Sequence, residues 1–172
     1  HKFLPHKIIK NLTLGFDPSL LTRKQLNGYF GDSLILKQIN KNLIDEIHKE
    51  KTSKIKTFFS LTNKVAGETF RSKIKKIRNI LKSNKADYLF VSAPENVAWV
   101  LNIRGSDNPN SPIPNCRLII GKKKELFLIT QKEKVLKIIK DKKLSKKQII
   151  NPEKFKDLIK ELKGNKFIID PL

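Results

Sequence analysis

The stretch ENVAWVLNIRGSDNPNSPIP, residues 95–114, carries the strongest structural signal in this chain. An apolar helical run that contains the only tryptophan, Trp99, ends abruptly at Arg104 and Gly105, and a polar loop with three prolines comes next. Proline fixes its own φ and restricts the residue before it, so the loop is stiff. The sequence therefore predicts a short helix followed at once by a rigid, arginine-marked connection.

The clearest helix lies upstream, in AGETFRSKIKKIRNILKSN at residues 66–84. Its apolar residues Phe70, Ile74, Ile77 and Leu81 recur at helical spacing, and its other face is basic. ADYLFVSA then reads as a buried strand. APENVAWVLN reads as a short helix with Pro94 in its first turn, where the missing N–H costs nothing.

Downstream, helical and strand patterns continue to alternate. CRLIIG and KELFLIT are predicted strands joined by a hairpin at 121–123. QKEKVLKIIKDK predicts a helix with Val135, Leu136, Ile138 and Ile139 directed inward, and SKKQII predicts a short strand. NPEKFKDLIKELKGN predicts a helix that Asn151 caps and Gly164 ends, and KFIID a last strand. The order αβαββαβαβ indicates an α/β fold with a mixed sheet flanked by helices.

The N-terminal part predicts a second, incomplete α/β unit. LTLGFDPSLLT reads as a strand, a turn and a helix start, with a helix over about 22–29 stopped by Gly28 and Gly31, and SLILKQI as another strand. This piece is too short to bury a core of its own. We therefore predict the remainder of a first domain at 1–50, a linker at 51–64 and a complete domain at 65–172.

The net charge of +21 suggests a polyanion partner, but the residue types argue against one. Of 37 basic residues only five are arginine, so 32 are lysine, and the lysines are spread along the chain. Arginine is the residue of bidentate phosphate and base contacts. Because basic and aromatic residues do not alternate, stacking platforms for bases are also missing. The composition favours a solvated basic surface and makes nucleic-acid binding the weaker alternative.

A search for chemical motifs predicts no catalytic centre and no metal site in this chain. His1, His6 and His48 lack metal-binding spacing, and no phosphate-binding glycine loop or nucleophile elbow is present. Cys116 opens an apolar strand, where a small buried side chain is expected. With one cysteine, no signal-type segment at the start and no apolar run long enough to span a membrane, we expect a cytoplasmic protein.

The loop residues Arg104 and Asp107 leave several alternatives open. They could pair with each other, or face a substrate terminus or a neighbouring domain. Asp107 could instead cap N–H groups of its own loop, which is a common role of aspartate in turns. We expect both residues near the surface at the strand ends, and Trp99 in the core beneath the helix at 66–84, where its loss would cost about 3–5 kcal/mol.

Residues 86–121 closely resemble the middle domain of Xaa-Pro aminopeptidases, the aminopeptidase P family. The family string (I/V)AW(L/V)LN(I/L)RG followed by SD is present, with Trp99, Asn102, Gly105 and Asp107 at its marked positions. LGFDPSLLT and NLIDEIHKEK are similar to family segments upstream, although His48 stands where the family often has tryptophan. The resemblance implies a creatinase-like N-terminal fold and a structural role for Trp99, Asn102 and Gly105.

The resemblance also implies the activity of a longer parent protein. Family members use two divalent metal ions, such as manganese, in a C-terminal catalytic domain to release an N-terminal residue that precedes proline. In this chain it implies no catalytic residue and no metal ligand, but contact with that catalytic domain, help in shaping access to it, and a homodimer. Arg104 and Asp107 are the candidates for substrate-end or interdomain contacts. A basic nucleic-acid-binding module and a non-enzymatic creatinase-fold binding protein are the alternatives.

Overall fold

The computed structural model describes residues 12–30, 34–48 and 55–169. The chain divides into two compact units, residues 1–53 and residues 54–172. His1, His6 and the first part of the predicted linker at 51–64 lie outside the described residues.

The first unit is a small βαβ piece. Its elements are β1 (Thr13–Phe16), α1 (Arg23–Phe30), β2 (Ile35–Gln38) and α2 (Leu43–Ile47). β1 and β2 pair in parallel, as a helical crossover allows. The predicted strand, helix and strand are therefore found, but α1 continues through Gly28, and a short helix, α2, follows the second strand.

The second unit contains seven strands and five helices within 55–169. In chain order they are β3 (Phe59–Ser60), α3 (Asn63–Ala66), α4 (Phe70–Ser83), β4 (Tyr88–Val91), α5 (Pro94–Leu101), β5 (Ile103–Arg104), β6 (Arg117–Gly121), β7 (Leu126–Ile129), α6 (Leu136–Lys140), β8 (Ile149–Ile150), α7 (Phe155–Glu161) and β9 (Phe167–Ile168). Short 3₁₀ turns precede α6, β8 and α7.

A mixed five-stranded sheet organises this unit. The strand order is β8-β7-β6-β4-β9, and β3 pairs with β5 in a separate two-stranded ribbon. The two central pairings, β7 with β6 and β6 with β4, are antiparallel, while β8 and β9 join the edges in parallel. The predicted mixed sheet flanked by helices is confirmed.

Alternation along the strands builds a separate core on each face of the sheet. Leu118 and Ile120 point to the face covered by α4, α5 and α6, whereas Ile119 points to the face covered by α7. On the α7 face, Phe90 stacks on Phe155 with ring centroids 5.7 Å apart. Removing such side chains from water contributes about 1.5–3 kcal/mol each.

Two predicted boundaries differ in the structure. The helix expected at 66–84 begins later, at Phe70, because the hydroxyl of Thr69 accepts the N–H of Ser72 and caps it. Phe58, placed in the predicted linker, is fully buried in the main core, and its N–H donates to the carbonyl of Lys134 at 2.6 Å. The chain from Phe58 onward therefore belongs to the second unit.

Two details of the downstream helices also differ. The segment 131–142 starts as a 3₁₀ turn before α6, so its register is shifted and Leu136 faces solvent instead of the core. Asn151 precedes the last helix, but its side chain makes no capping hydrogen bond. Gly164 ends that segment with a positive φ of 88°, as predicted for a helix stop. No helix of the described residues is long and apolar enough to cross a membrane.

We predict that Gly105→Ala destabilises the second unit by about 1–3 kcal/mol. A Cβ at residue 105 would lie 2.7 Å from the backbone Cα of Pro114, where the proline loop folds back, and a backbone atom cannot move aside cheaply. The N–H of Gly105 also donates to the carbonyl of Pro112 at 3.0 Å. Urea unfolding measures the loss, with the neighbouring exposed Ser106→Ala as control. Equal urea midpoints for Gly105→Ala and Ser106→Ala would show that the close approach of Pro114 to Gly105 does not exclude a side chain at residue 105.

Candidate functional site

Helix α5 ends in an unusual C-cap at Asn102. This residue is buried and adopts the left-handed conformation, with φ 51° and ψ 49°, which asparagine tolerates better than most residues. Its N–H donates to the carbonyls of Ala98 and Trp99. The left-handed residue turns the chain directly into β5, so the helix ends at Leu101, four residues before Gly105, where the sequence predicted its end.

The side chain of Lys73, on α4, extends to this end of α5. Its side chain is 3% exposed, and its Nζ donates to the carbonyl of Trp99 at 2.8 Å and to Oδ1 of Asn102 at 2.7 Å. Nδ2 of Asn102 donates to the carbonyl of Glu68 at 2.7 Å. The amide is therefore held at both ends, and it connects the start of α4 to the end of α5.

Two further cations donate hydrogen bonds at the same end of α5. Nζ of Lys143 donates to the carbonyls of Leu101 and Asn102 at 3.0 and 2.9 Å. The guanidinium of Arg104 donates to the carbonyl of Ile103 at 2.8 Å and, more weakly, to that of Ala98 at 3.4 Å. The last carbonyls of a helix lack intrahelical partners and carry its negative dipole end. Three positive side chains satisfy them here.

Burial perturbs both lysines of this cluster. Desolvation lowers the pKa of Lys73, against an opposing effect of the Glu68 carboxylate, and the charge of Arg104 lowers it further. Desolvation is also the main cause that lowers the pKa of Lys143, with Asp141 acting in the opposite direction. Neither ammonium forms an ion pair with a described carboxylate, so carbonyl and amide oxygens stabilise the charges.

Asp107 is engaged inside its own loop and does not pair with Arg104. Its Oδ2 accepts the N–H of Asn115 at 2.6 Å, and its Oδ1 pairs with Nζ of Lys134 at 2.8 Å. The side chains of this pair are 14% and 18% exposed. Of the alternatives that the sequence left open, the geometry matches the one in which Asp107 satisfies its loop.

The prediction that Trp99 is buried in the core is wrong, because its side chain is 58% exposed. The inward face of α5 is formed by Val97, Val100 and Leu101, and Trp99 lies to one side of it. Its ring stands 3.9 Å from Nζ of Lys73 and shields that ammonium from solvent. The helix at 70–83 does contact α5, but through Lys73 and the core residues.

An apolar hollow of about 360 Å³ opens beside Trp99. It lies where β4 and β9 end, a position at which α/β sheets commonly bind ligands or partners. Its walls consist of Leu89, Phe90, Val91, Ser92, Ala93, Asn96, Trp99, Val100, Ile168 and Ile169. None of these side chains titrates, so the hollow is suited to binding and offers no acid or base, and its one hydroxyl, that of Ser92, has no base among the lining residues to activate it.

The described residues also offer no place for a metal ion. Within 12–30, 34–48 and 55–169 no three His, Cys, Asp or Glu side chains come together. His48 is exposed, and burial raises the pKa of the Cys116 thiol to about 12, which keeps it protonated and inert. The two divalent ions that the family resemblance implies therefore do not fit the described part of this chain.

Sequence reasoning missed Lys73 and Lys143, the two lysines that hold the site together. Both were counted among the solvated basic residues, because a lysine near the edge of an amphipathic pattern gives no local sign of burial. Their oxygen acceptors lie 26 to 42 residues away in the chain.

Comparison with known proteins gives a consistent result. A family model described as the creatinase/prolidase N-terminal domain matches residues 49–172. A probable Xaa-Pro aminopeptidase P of Coprinopsis cinerea is 26% identical over 137 residues, which cover 76% of this chain and 22% of the relative. Xaa-Pro aminopeptidase 1 of Dictyostelium discoideum is 30% identical over 121 residues, covering 60% and 19%.

A solved structure shares the fold. The crystal structure of X-prolyl aminopeptidase from Caenorhabditis elegans, described as a cytosolic enzyme with a di-nuclear active site, matches with a TM-score of 0.76 at 23% identity. The match covers 98% of this chain and 28% of that one. The chain spans about a fifth of the length of the two curated relatives.

We predict that Lys73→Met costs about 2–3 kcal/mol, because it removes the donor of Oδ1 of Asn102 and leaves the carbonyl of Trp99 only the long bond from the N–H of Asn102, at 3.4 Å. The exposed Lys75→Met on the same helix should be nearly neutral. Urea unfolding of both variants measures the difference.

The stability of this cluster should also depend on pH, with a defined sign. The folded state lowers the pKa of Lys73 below its ordinary 10.5, so at alkaline pH it binds fewer protons than the unfolded state. Stability then rises with pH in the window between the lowered pKa and 10.5. The advantage of the wild type over Lys73→Met should therefore grow toward pH 10.5. A difference that shrinks with rising pH would contradict the assigned direction.

Proposed function

The chain belongs to the creatinase/prolidase N-terminal domain family, and from this premise we propose that it is the non-catalytic N-terminal part of a metal-dependent Xaa-Pro aminopeptidase. The observation that carries the proposal is the family match over residues 49–172, which includes the whole α5 cluster. The similarity to Xaa-Pro aminopeptidases of two organisms supports the substrate class, peptides with proline at the second position.

Catalysis in this proposal lies outside the described residues. They offer no metal-binding group, so no reaction step is assigned to them. The two metal ions, manganese or a similar divalent ion, would be held by the remainder of the longer enzyme. The di-nuclear active site described for the C. elegans protein agrees with that expectation. By the same analogy we propose a cytoplasmic location and a homodimer.

The role of this chain is to present a rigid apolar surface to the catalytic part and so shape access to it. Trp99 and Ile169 are 58% and 60% exposed and border the apolar hollow. Exposed large apolar groups of this kind are typical of contact surfaces. Arg104, whose guanidinium donates to the carbonyls of Ile103 in β5 and Ala98 in α5, would contribute a charge near this surface.

We predict that the 172-residue chain alone releases no residue from an Xaa-Pro peptide, even with added Mn²⁺. A longer natural form that continues past residue 172 should carry two Asp, one His and two Glu as metal ligands. It should cleave the peptide and lose this activity to a chelator, because the metals activate the attacking water. Sequencing past residue 172 and a peptide-release assay check both points. If that ligand set is missing, the non-enzymatic creatinase-fold binding protein becomes the better description.

We predict different effects of Trp99→Ala on stability and on activity. In this chain the substitution should cost only about 1 kcal/mol, mostly the contact with the Lys73 ammonium. In the longer enzyme it should lower kcat/KM by roughly tenfold, a loss of about 1.4 kcal/mol. The matched control is Ile80→Ala, which removes an exposed apolar group from α4. If Trp99→Ala leaves kcat/KM unchanged in the active enzyme, Trp99 does not face the catalytic part.

A further inference from the structure

A second groove, of about 380 Å³, lies along α4 and collects positive charge. Arg71 and Arg78 of α4, Lys124 of the turn between β6 and β7, and Lys143 after α6 line it. These four cations come from three separate segments that meet only in the folded chain.

The arginines make this groove distinct from the general lysine-rich surface. The chain has five arginines against 32 lysines, yet two of the five line this one groove. Arg71 and Arg78 are seven residues apart, so they lie on the same face of α4, about 10 Å apart along its axis. Lysines spread by composition would not produce this pairing of guanidinium groups.

No described carboxylate pairs with the charges in the groove. None of the side chains that line it is a carboxylate, and no ion pair among the described residues involves any of the four cations. Asp141 acts on Lys143 from the neighbouring turn but does not line the groove. The carboxylate of Glu125 lies over Gly121 and acts on Tyr88 instead. The local field therefore favours an anion.

The hydrogen bonds divide the cations into fixed and available groups. Arg78 donates to the carbonyls of Gly121 and Glu125, and Lys143 is engaged at the end of α5. Arg71 and Lys124 make no side-chain hydrogen bond to a described residue, and both are exposed. The centroid of the Phe70 ring lies 5.5 Å from the guanidinium carbon of Arg71 and 5.4 Å from Nζ of Lys143. Two of the four cations are thus held by carbonyls, and two are exposed and available to a ligand.

We propose that this groove is a binding site for a compact anion that carries two or more phosphate groups. Guanidinium forks match phosphate oxygens in bidentate geometry, and ammonium groups add point charge. The axial spacing of about 10 Å between Arg71 and Arg78 exceeds the reach of one phosphate, and a groove of about 380 Å³ suits a small ligand better than a strand of nucleic acid. The site does not depend on the proposed peptidase role.

Calorimetric titration of the 172-residue chain with sodium tripolyphosphate, at about physiological salt, tests the proposal. We expect saturable binding at one site. The double variant Arg71→Gln/Lys124→Gln should weaken it by about tenfold or more, because two charge-assisted contacts are lost. The control Lys156→Gln/Lys163→Gln removes the same charge from exposed lysines at α7, on the other face of the sheet, and should change binding by less than about twofold. Circular dichroism confirms that each variant is folded.

Three results would overturn the proposal. If tripolyphosphate does not bind saturably, the groove is not a binding site. If both double variants weaken its binding equally, the chain attracts it through total charge only. The third arm uses a 12-nucleotide single-stranded DNA under the same conditions. The proposal of a compact ligand fails if tripolyphosphate does not bind while the DNA binds, and binds more weakly to the Arg71→Gln/Lys124→Gln variant. The groove would then be a nucleic-acid site.

Discussion

The ammonium group of Lys73, enclosed by the Trp99 ring and the Asn102 amide, is the interaction on which the second unit depends. A buried charge without a carboxylate partner is costly unless other polar groups satisfy it. Here the electronegative end of α5 provides them, so the cost of burial is offset by the carbonyls that a helix leaves unsatisfied. The same arrangement fixes the left-handed turn at Asn102, because that amide cannot rotate without breaking bonds at both of its ends.

This turn determines the path of the chain after α5 and the side chains that reach solvent. The reversal at Asn102 directs β5 into its pairing with β3, and that pairing carries Phe58 into the core. The close approach of Gly105 to Pro114 and the contacts of Asp107 then hold the proline loop against the body. Trp99 is left outside because its backbone carbonyl and the face of its ring are both used by Lys73. The exposed tryptophan is thus a consequence of the buried lysine.

Most of the fold could be predicted from the sequence because its signals are local. Phe70, Ile74 and Leu81 mark α4 by spacing alone, and the two apolar runs around Gly121 mark the central hairpin. The orientation of α5 is marked more weakly, since only Glu95 and Asn96 indicate the outer face, and the tryptophan that shares this face is a residue type usually expected in the core. The site was predicted only in part, because some of its contacts join residues that are distant in the sequence. Asn102 and Gly105 were recognised by a motif, but Lys73 and Lys143 find their partners across long stretches of chain.

The distribution of cations shows why total charge is a poor guide to what a lysine-rich chain binds. Most of the 32 lysines are consistent with a solvated surface, yet Lys73 and Lys134 are structural and direct their charge to oxygens of the same molecule. Such groups contribute to the formal charge but have little field left for a partner. Arg71 and Lys124 are the reverse case, since they are exposed and make no side-chain hydrogen bond to a described residue. Affinity for an anion therefore depends on where cations without internal oxygen partners converge with others, as Arg71 and Lys124 do with Arg78 and Lys143 in the groove along α4.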